Sequence, residues 1–197
     1  IPARGDPDGN FARLLDLLDE ASRHRPDVVI TPEGFLDGYL AADPEATADD
    51  IRAAAIDPDD SVFADVVGAW AGDHRSWVIF GCTRIVGRRG ANTALIFDRR
   101  GRLAGMYDKT HLQSHDHKYA TGHQLPVFAS DFGTFGVLIC ADRRWPETVR
   151  TLALKGARVL FNPTYGMMGD FNTAMMRTRA FESEVFIAFT HVRQSLV

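Results

Sequence analysis

Several things are scarce in this chain, and each scarcity removes a class of protein. Only two cysteines, Cys82 and Cys140, occur in 197 residues. That rules out a disulfide-stapled scaffold, and no second Cys/His pair offers metal-ligand spacing. No apolar run approaches the roughly 20 residues that a membrane-spanning helix needs, and no signal peptide opens the sequence. Basic charge is not in excess: the net charge is −4, and the arginines are scattered apart from short pairs such as Arg88-Arg89 and Arg99-Arg100. Nucleic acid and anionic membranes are therefore not expected partners. Repeats, low-complexity tracts and long linkers are also missing. What remains is 45% hydrophobic and 24% charged residues, the composition of an ordinary globular domain. A reducing cytoplasm is the simplest setting for two unpaired thiols.

The pattern along the chain alternates helices and strands. Phe11, Leu14, Leu15, Leu18 and Ala21 follow helical spacing, with Asp8 or Asn10 available as the cap. Val28-Val29-Ile30-Thr31 reads as a buried strand between two prolines. Asp43 to Pro58 is acidic and Ala-rich, a surface loop or helix. Ser61 to Ala71 is a second helix and Trp77 to Gly81 a strand. Thr93 to Phe97 and Leu103 to Tyr107 form a hairpin about Asp98-Arg99-Arg100-Gly101. Phe135 to Ile139 is a strand running directly into Cys140. Pro146 opens a helix that stops near Gly156. Two further strands, Val159 to Phe161 and Val185 to Thr190, bracket a helix near Asn172 to Ser183. The expected architecture is a single layered α/β domain over residues 1–197.

Three strands end on an abrupt polar residue: Glu33 after Val28–Thr31, Lys109 after Gly105–Tyr107, and Cys140 after Val137–Ile139. Brought to one end of a sheet, they make a workable catalytic set. The carboxylate takes the thiol proton, the thiolate attacks an electrophilic carbon, and the ammonium stabilises the oxyanion with the backbone N–H after the cysteine, at Ala141. No metal or organic cofactor is required. Each residue alone has a blander reading: a buried small hydrophobe, a turn carboxylate and a solvated lysine.

Taken together, Val29-Ile30-Thr31-Pro32-Glu33-Gly34, Tyr107-Asp108-Lys109-Thr110-His111-Leu112 and Gly136-Val137-Leu138-Ile139-Cys140-Ala141-Asp142-Arg143-Arg144-Trp145-Pro146-Glu147 resemble the nitrilase, or carbon–nitrogen hydrolase, superfamily. The resemblance extends from about residue 10 to the C-terminus, including Asn162-Pro163-Thr164 and Arg179-Ala180-Phe181-Glu182. It implies a four-layer α-β-β-α sandwich with Glu33, Lys109 and Cys140 as the triad. It also implies a homo-oligomer, with the helix bearing Met175, Met176 and Phe181 as the candidate contact. Members are usually longer, so a first strand before Ile1 and more sheet after Val197 are expected, and the domain reads as incomplete at both ends. Many members carry a second glutamate between the lysine and cysteine motifs, a place that falls here on His115 or Asp116. His111, His115 and Asp116 are accordingly expected near the triad.

Around the nucleophile the local similarity is to N-carbamoyl-D-amino-acid amidohydrolases. It implies that Arg143 and Arg144 bind a substrate carboxylate. Asn162 and Thr164, after the strand that follows the nucleophile helix, are expected across the pocket, in a segment that departs from the carbamoylase pattern. The expected activity is hydrolysis of a non-peptide C–N bond in a small amide, carbamoyl or nitrile substrate, through a thioester. A nitrilase or aliphatic amidase with the same triad is the alternative within the class. A catalytically silent binding scaffold is the alternative outside it. Glu147 and Glu182 are read as structural partners, and Cys82 as core.

Overall fold

In a computed structural model of the chain, which describes residues 1–197 except the side chain of Gln194, the first helix α1 spans Pro7–Ser22. Its cap is Asp6, whose carboxylate accepts the Gly9 amide at 3.0 Å. Proline in the first turn needs no amide partner, so the helix starts there rather than at Asp8 or Asn10. Asn10 turns inward instead and ties the Ala3 and Leu36 carbonyls. Leu14 and Leu18 bury the apolar stripe, while Leu15 sits on its exposed shoulder.

The remaining elements in chain order are β1 (Val28–Ile30), α2 (Ala48–Ala53), α3 (Val62–His74), β2 (Trp77–Val86), β3 (Arg89–Phe97) and β4 (Leu103–Asp108). They are followed by β5 (Val127–Ser130), β6 (Gly133–Val137), α4 (Pro146–Leu154), β7 (Val159–Thr164), α5 (Asp170–Ser183), β8 (Phe186–His191) and β9 (Gln194–Leu196). The sequence pattern does not reveal β5 or β9, which are short and half-buried. Thr47 caps α2, with Asp50 answering the Thr47 amide, so the acidic stretch contains one short helix.

Two sheets result, ordered β1-β2-β3-β4 and β5-β6-β7-β8-β9. In the first, β1 runs parallel to β2, and the β2–β3 and β3–β4 pairs are antiparallel. In the second, β6, β7 and β8 are parallel, with antiparallel strands at each edge. Period-two alternation assigns the faces. Val78, Phe80, Cys82, Leu95 and Phe97 meet Leu14, Leu18, Val67 and Ala71 of α1 and α3. Trp77, Ile79, Ala94 and Ile96 point the other way, onto Phe135, Val137, Ile139 and Phe161 of the second sheet. Leu138, Leu160, Ile187 and Phe189 then cover α4 and α5. The order of layers is α-β-β-α. Among the described residues no helix is long and apolar enough to cross a membrane.

Phe135 is the hub of the inter-sheet layer. Its ring lies 5.5 Å from Trp77, 5.4 Å from Phe128 and 5.3 Å from Phe161. Such a site cannot collapse around a small side chain without moving both sheets. Phe135→Ala is therefore expected to cost about 3–5 kcal/mol of stability, read as a lowered urea midpoint at unchanged m-value.

Candidate active site

Glu33 and Lys109 leave the same end of the first sheet, because β1 and β4 point the same way. Thr31 hooks the Glu33 turn onto β2: its hydroxyl accepts the Gly81 amide at 2.8 Å. The turn lies against bare backbone there, and a Cβ at Gly81 would fall 2.3 Å from the Pro32 carbonyl oxygen. Cys140 follows β6 in the opposite sheet. The three strand-end residues are thus brought together across two facing sheets rather than along one sheet edge.

The ammonium of Lys109 is fully buried and donates to Glu33 Oε1 at 2.8 Å and to Asp116 Oδ2 at 2.6 Å. Glu33 also accepts Asn92 Nδ2 at 2.8 Å and the Tyr165 amide at 3.0 Å. Asp116 accepts the Tyr39 hydroxyl at 2.6 Å and the Gln113 amide at 3.1 Å. The two carboxylates thereby take six donated hydrogen bonds between them. Of Lys109's three hydrogens, two are used and one is left. Burial alone would push the Lys109 amine down, but Glu33, Cys140 and Asp116 outweigh it and hold the group above the usual lysine range.

Between His115 and Asp116, the structure gives the second carboxylate position beside the lysine to Asp116. His115 lies outside it, its Nε2 2.9 Å from the Tyr39 hydroxyl. Tyr39 and Asn92 are the site residues that sequence reasoning missed. A polar Asn inside the apolar run Ala91–Phe97, and a Tyr six residues after Glu33, were the available signals.

Cys140 is buried at a backbone φ of +46°, a left-handed conformation that costs a non-glycine residue on the order of 1 kcal/mol. Two neighbours hold this turn. The Asp142 carboxylate accepts the Ile139 amide at 2.9 Å, the His111 amide at 2.9 Å and the Tyr107 hydroxyl at 2.7 Å. Arg143 donates to the Cys140 carbonyl at 2.5 Å. Burial and the nearby Glu33 charge raise the Cys140 thiol, against the pull of Lys109, Arg143 and the Gly166 amide. The resting group is a thiol.

The arginines separate. Arg143 is fully buried, and its five N–H groups all go to protein acceptors: Asn172 Oδ1, the Cys140 carbonyl, Thr164 Oγ1 and the Gly166 and Met167 carbonyls. It clamps the Cys140 turn to the loop after β7 where a substrate contact was expected. Arg144 is exposed. Asn162 and Thr164 are likewise buried in framework bonds, Asn162 Nδ2 to the Leu138 carbonyl at 2.9 Å and Thr164 Oγ1 to the Asn162 carbonyl at 3.2 Å. The neighbouring backbone faces the site instead, through the Tyr165 and Gly166 amides. His111 packs beside the turn, 3.1 Å from Asp142 Oδ1 and stacked on Trp145 at 5.4 Å. Ala141, next to Cys140 in the chain, is buried. Glu182 pairs with Arg179, which holds the Arg143 and Arg144 carbonyls, while Glu147 is exposed. A cleft of about 820 Å³, lined by Arg75, Trp77, Arg99 and Asp131, opens at the opposite end of the strands. Its most deeply set arginine, Arg99, is already paired with Asp27 and Asp131.

A thiol on a strained turn, facing an ammonium between two carboxylates, makes this a thiol-bearing α-β-β-α sandwich. Residues 2–196 match the carbon-nitrogen hydrolase family, and the chain belongs to that family of C–N bond hydrolases. It is 31% identical to a nitrilase of Pyrococcus abyssi over 92% of this chain and 68% of that protein. It is 28% identical to the 2-oxoglutaramate amidase of Bacillus subtilis over 93% of this chain and 70% of that protein. The chain thus spans about two thirds of the length of these relatives. Among solved structures, Saccharomyces cerevisiae Nit3 shares the fold with a TM-score of 0.81 at 22% identity, covering 96% of this chain and 72% of its own.

Behind Glu33, the carboxyl of Asp37 accepts the Leu40 amide at 2.9 Å and is otherwise enclosed. Burial, with the Glu33 charge adding to it, raises the group from 3.8 to about 6. A carboxyl raised on folding binds its proton more tightly in the native state. Its contribution is therefore present at low pH and lost as pH climbs from about 4 to about 6. Asp37→Asn should flatten that part of the stability curve. Relative to the unmodified chain the variant should gain on the order of 3 kcal/mol between pH 4 and pH 7, measured by urea unfolding across pH.

Proposed function

We propose that the chain hydrolyses the C–N bond of a small amide, with Cys140 as nucleophile, Glu33 as general base and acid, and Lys109 as oxyanion stabiliser. The observation that carries this reading is geometric: Glu33, paired with Lys109 at 2.8 Å, and Cys140, on its strained turn, take the adjacent amides of Tyr165 and Gly166. Glu33 accepts the thiol proton as sulfur bonds to the carbonyl carbon. The carbonyl π pair moves onto oxygen, which meets the remaining N–H of Lys109 and the backbone N–H of Ala141. The intermediate collapses with cleavage of the C–N bond, and protonated Glu33 returns its proton to the departing nitrogen. Water, deprotonated by Glu33, then attacks the thioester. The carboxylic acid forms, and sulfur leaves and is reprotonated. Asp116 holds Lys109 from the other side. The nitrilase and the amidase among the relatives support an amide or nitrile as substrate.

An N-carbamoyl amino acid is the second reading. It rests on Arg144, the exposed guanidinium beside the nucleophile turn, because Arg143 has no N–H to offer. Ammonia release from propionamide, propionitrile and N-carbamoylalanine separates the readings. A carboxylate bound by Arg144 would favour the carbamoyl compound about tenfold or more in kcat/KM, and Arg144→Met would erase the preference. Equal or better turnover of the neutral compounds leaves the amide reading.

Assembly into a homo-oligomer through α5 also belongs to this proposal. Phe171 and Phe181 stand 77% and 88% exposed on it, while Met176 packs inward, so the candidate contact is centred on the phenylalanines. Phe181→Asp should lower the mass seen by light scattering at micromolar concentration; an unchanged mass would remove this face.

For the chemistry itself, Cys140→Ala, Glu33→Gln and Lys109→Met are each expected to cut turnover on the order of 10³-fold or more with the unfolding midpoint retained. A near-normal rate for Lys109→Met would overturn its oxyanion role.

A further inference from the structure

One contact near the site has no part in the chemistry above. His115, whose side chain is 42% exposed, places Nε2 2.9 Å from the hydroxyl of Tyr39, which is buried. Tyr39 has a single hydroxyl hydrogen. At 2.6 Å from Asp116 Oδ1, that hydrogen is committed to the carboxylate. The ring nitrogen must then be the donor, so Nε2 carries a hydrogen whatever the charge on the ring. A directional chain follows: His115 Nε2–H to Tyr39, Tyr39 O–H to Asp116 Oδ1, and Asp116 Oδ2 to the Lys109 ammonium at 2.6 Å, which donates on to Glu33 at 2.8 Å.

We propose that His115 is a positioning residue for Lys109, acting from the surface through Tyr39 and Asp116. The inference rests on the hydrolytic reading of the site. No proton is transferred along the chain. Donation into the Tyr39 oxygen polarises its O–H and strengthens the bond to Asp116. That bond fixes Oδ1 and thereby aims Oδ2 at the ammonium. The orientation of Lys109's remaining hydrogen then depends on an exposed ring three bonds away. Two features hold Tyr39 where this works. Its backbone takes a left-handed φ of +55°, with its amide bonded to the Gly34 carbonyl at 2.8 Å, and its ring lies 5.6 Å beneath the Lys109 ammonium and 5.0 Å from Tyr165. A tyrosine needed only for packing would be satisfied by Asp116 alone; His115 adds the second contact.

The test compares His115→Ala, His115→Gln and Tyr39→Phe with the unmodified chain. Turnover is measured on whichever of propionamide, propionitrile and N-carbamoylalanine is hydrolysed fastest, together with the rate of Cys140 alkylation by iodoacetamide. His115→Ala and Tyr39→Phe should lower kcat about tenfold with KM within about twofold, since the lost bond orients a charged group at the transition state. Alkylation should slow with them as Lys109 moves relative to the thiol. His115→Gln, which still presents an N–H, should recover most of both rates, a rescue that loss of packing would not show. Equality of His115→Ala with the unmodified chain in both measurements overturns the proposal, as does failure of glutamine to rescue a folded variant. Should no compound release ammonia while alkylation still follows residue 115, the hydrolytic reading fails and the positioning role stands.

Discussion

The site depends on a buried ammonium. An unpaired lysine moved from water into a protein interior loses several kcal/mol of solvation, and one carboxylate partner rarely restores it. Lys109 has two, Glu33 and Asp116, and each carboxylate has its own further donors: Asn92 and the Tyr165 amide for one, Tyr39 and the Gln113 amide for the other. These donors come from β3, from the loop after β7, from the turn following Glu33 and from the segment after β4. Four separate stretches of chain therefore have to converge on the two carboxylates that flank one nitrogen. Removing any of them leaves a charge short of a partner in a place water does not reach, which is the costly direction of the hydrogen-bond balance.

The thiol is held by a different logic. Cys140 sits in a conformation that the backbone resists, and side chains of its own turn keep it there. Asp142 gathers donors from Ile139, His111 and Tyr107, while Arg143 spans the turn and the loop carrying Gly166 and Met167. A guanidinium suits this task because its planar fork can satisfy several carbonyls at fixed angles, which a lysine could not. The same satisfaction removes Arg143 from substrate recognition.

Much of this was legible in the sequence because it is local. Period-two and helical patterns mark most elements, and the strand-end polar residues mark Glu33, Lys109 and Cys140. The edges were harder. β5 and β9 are short, and Asp6 rather than Asp8 caps α1 because Pro7 fixes where the helix can begin. Partnerships distant in sequence were harder still. That Tyr39 would find Asp116, and Asn92 would find Glu33, follows from how β1 and β3 share a sheet and how the segment after β4 folds back over it. Two adjacent arginines look equivalent as letters, yet one is fully buried and the other exposed, a difference decided by the direction of a single turn.

Among the described residues the two halves of the site hang from sheets that share no backbone hydrogen bond; the layer around Phe135 packs them together, and side-chain bonds such as Tyr107 to Asp142 cross between them. One residue along a strand is about 3.3 Å. The bond joining Tyr165, on the second sheet's loop, to Glu33, on the first, spans 3.0 Å. A slip of a single residue between the sheets would exceed the reach of that bond while leaving every strand ladder intact. The site thus works as a vernier on the sandwich, reporting sheet-to-sheet displacements too small to register as unfolding.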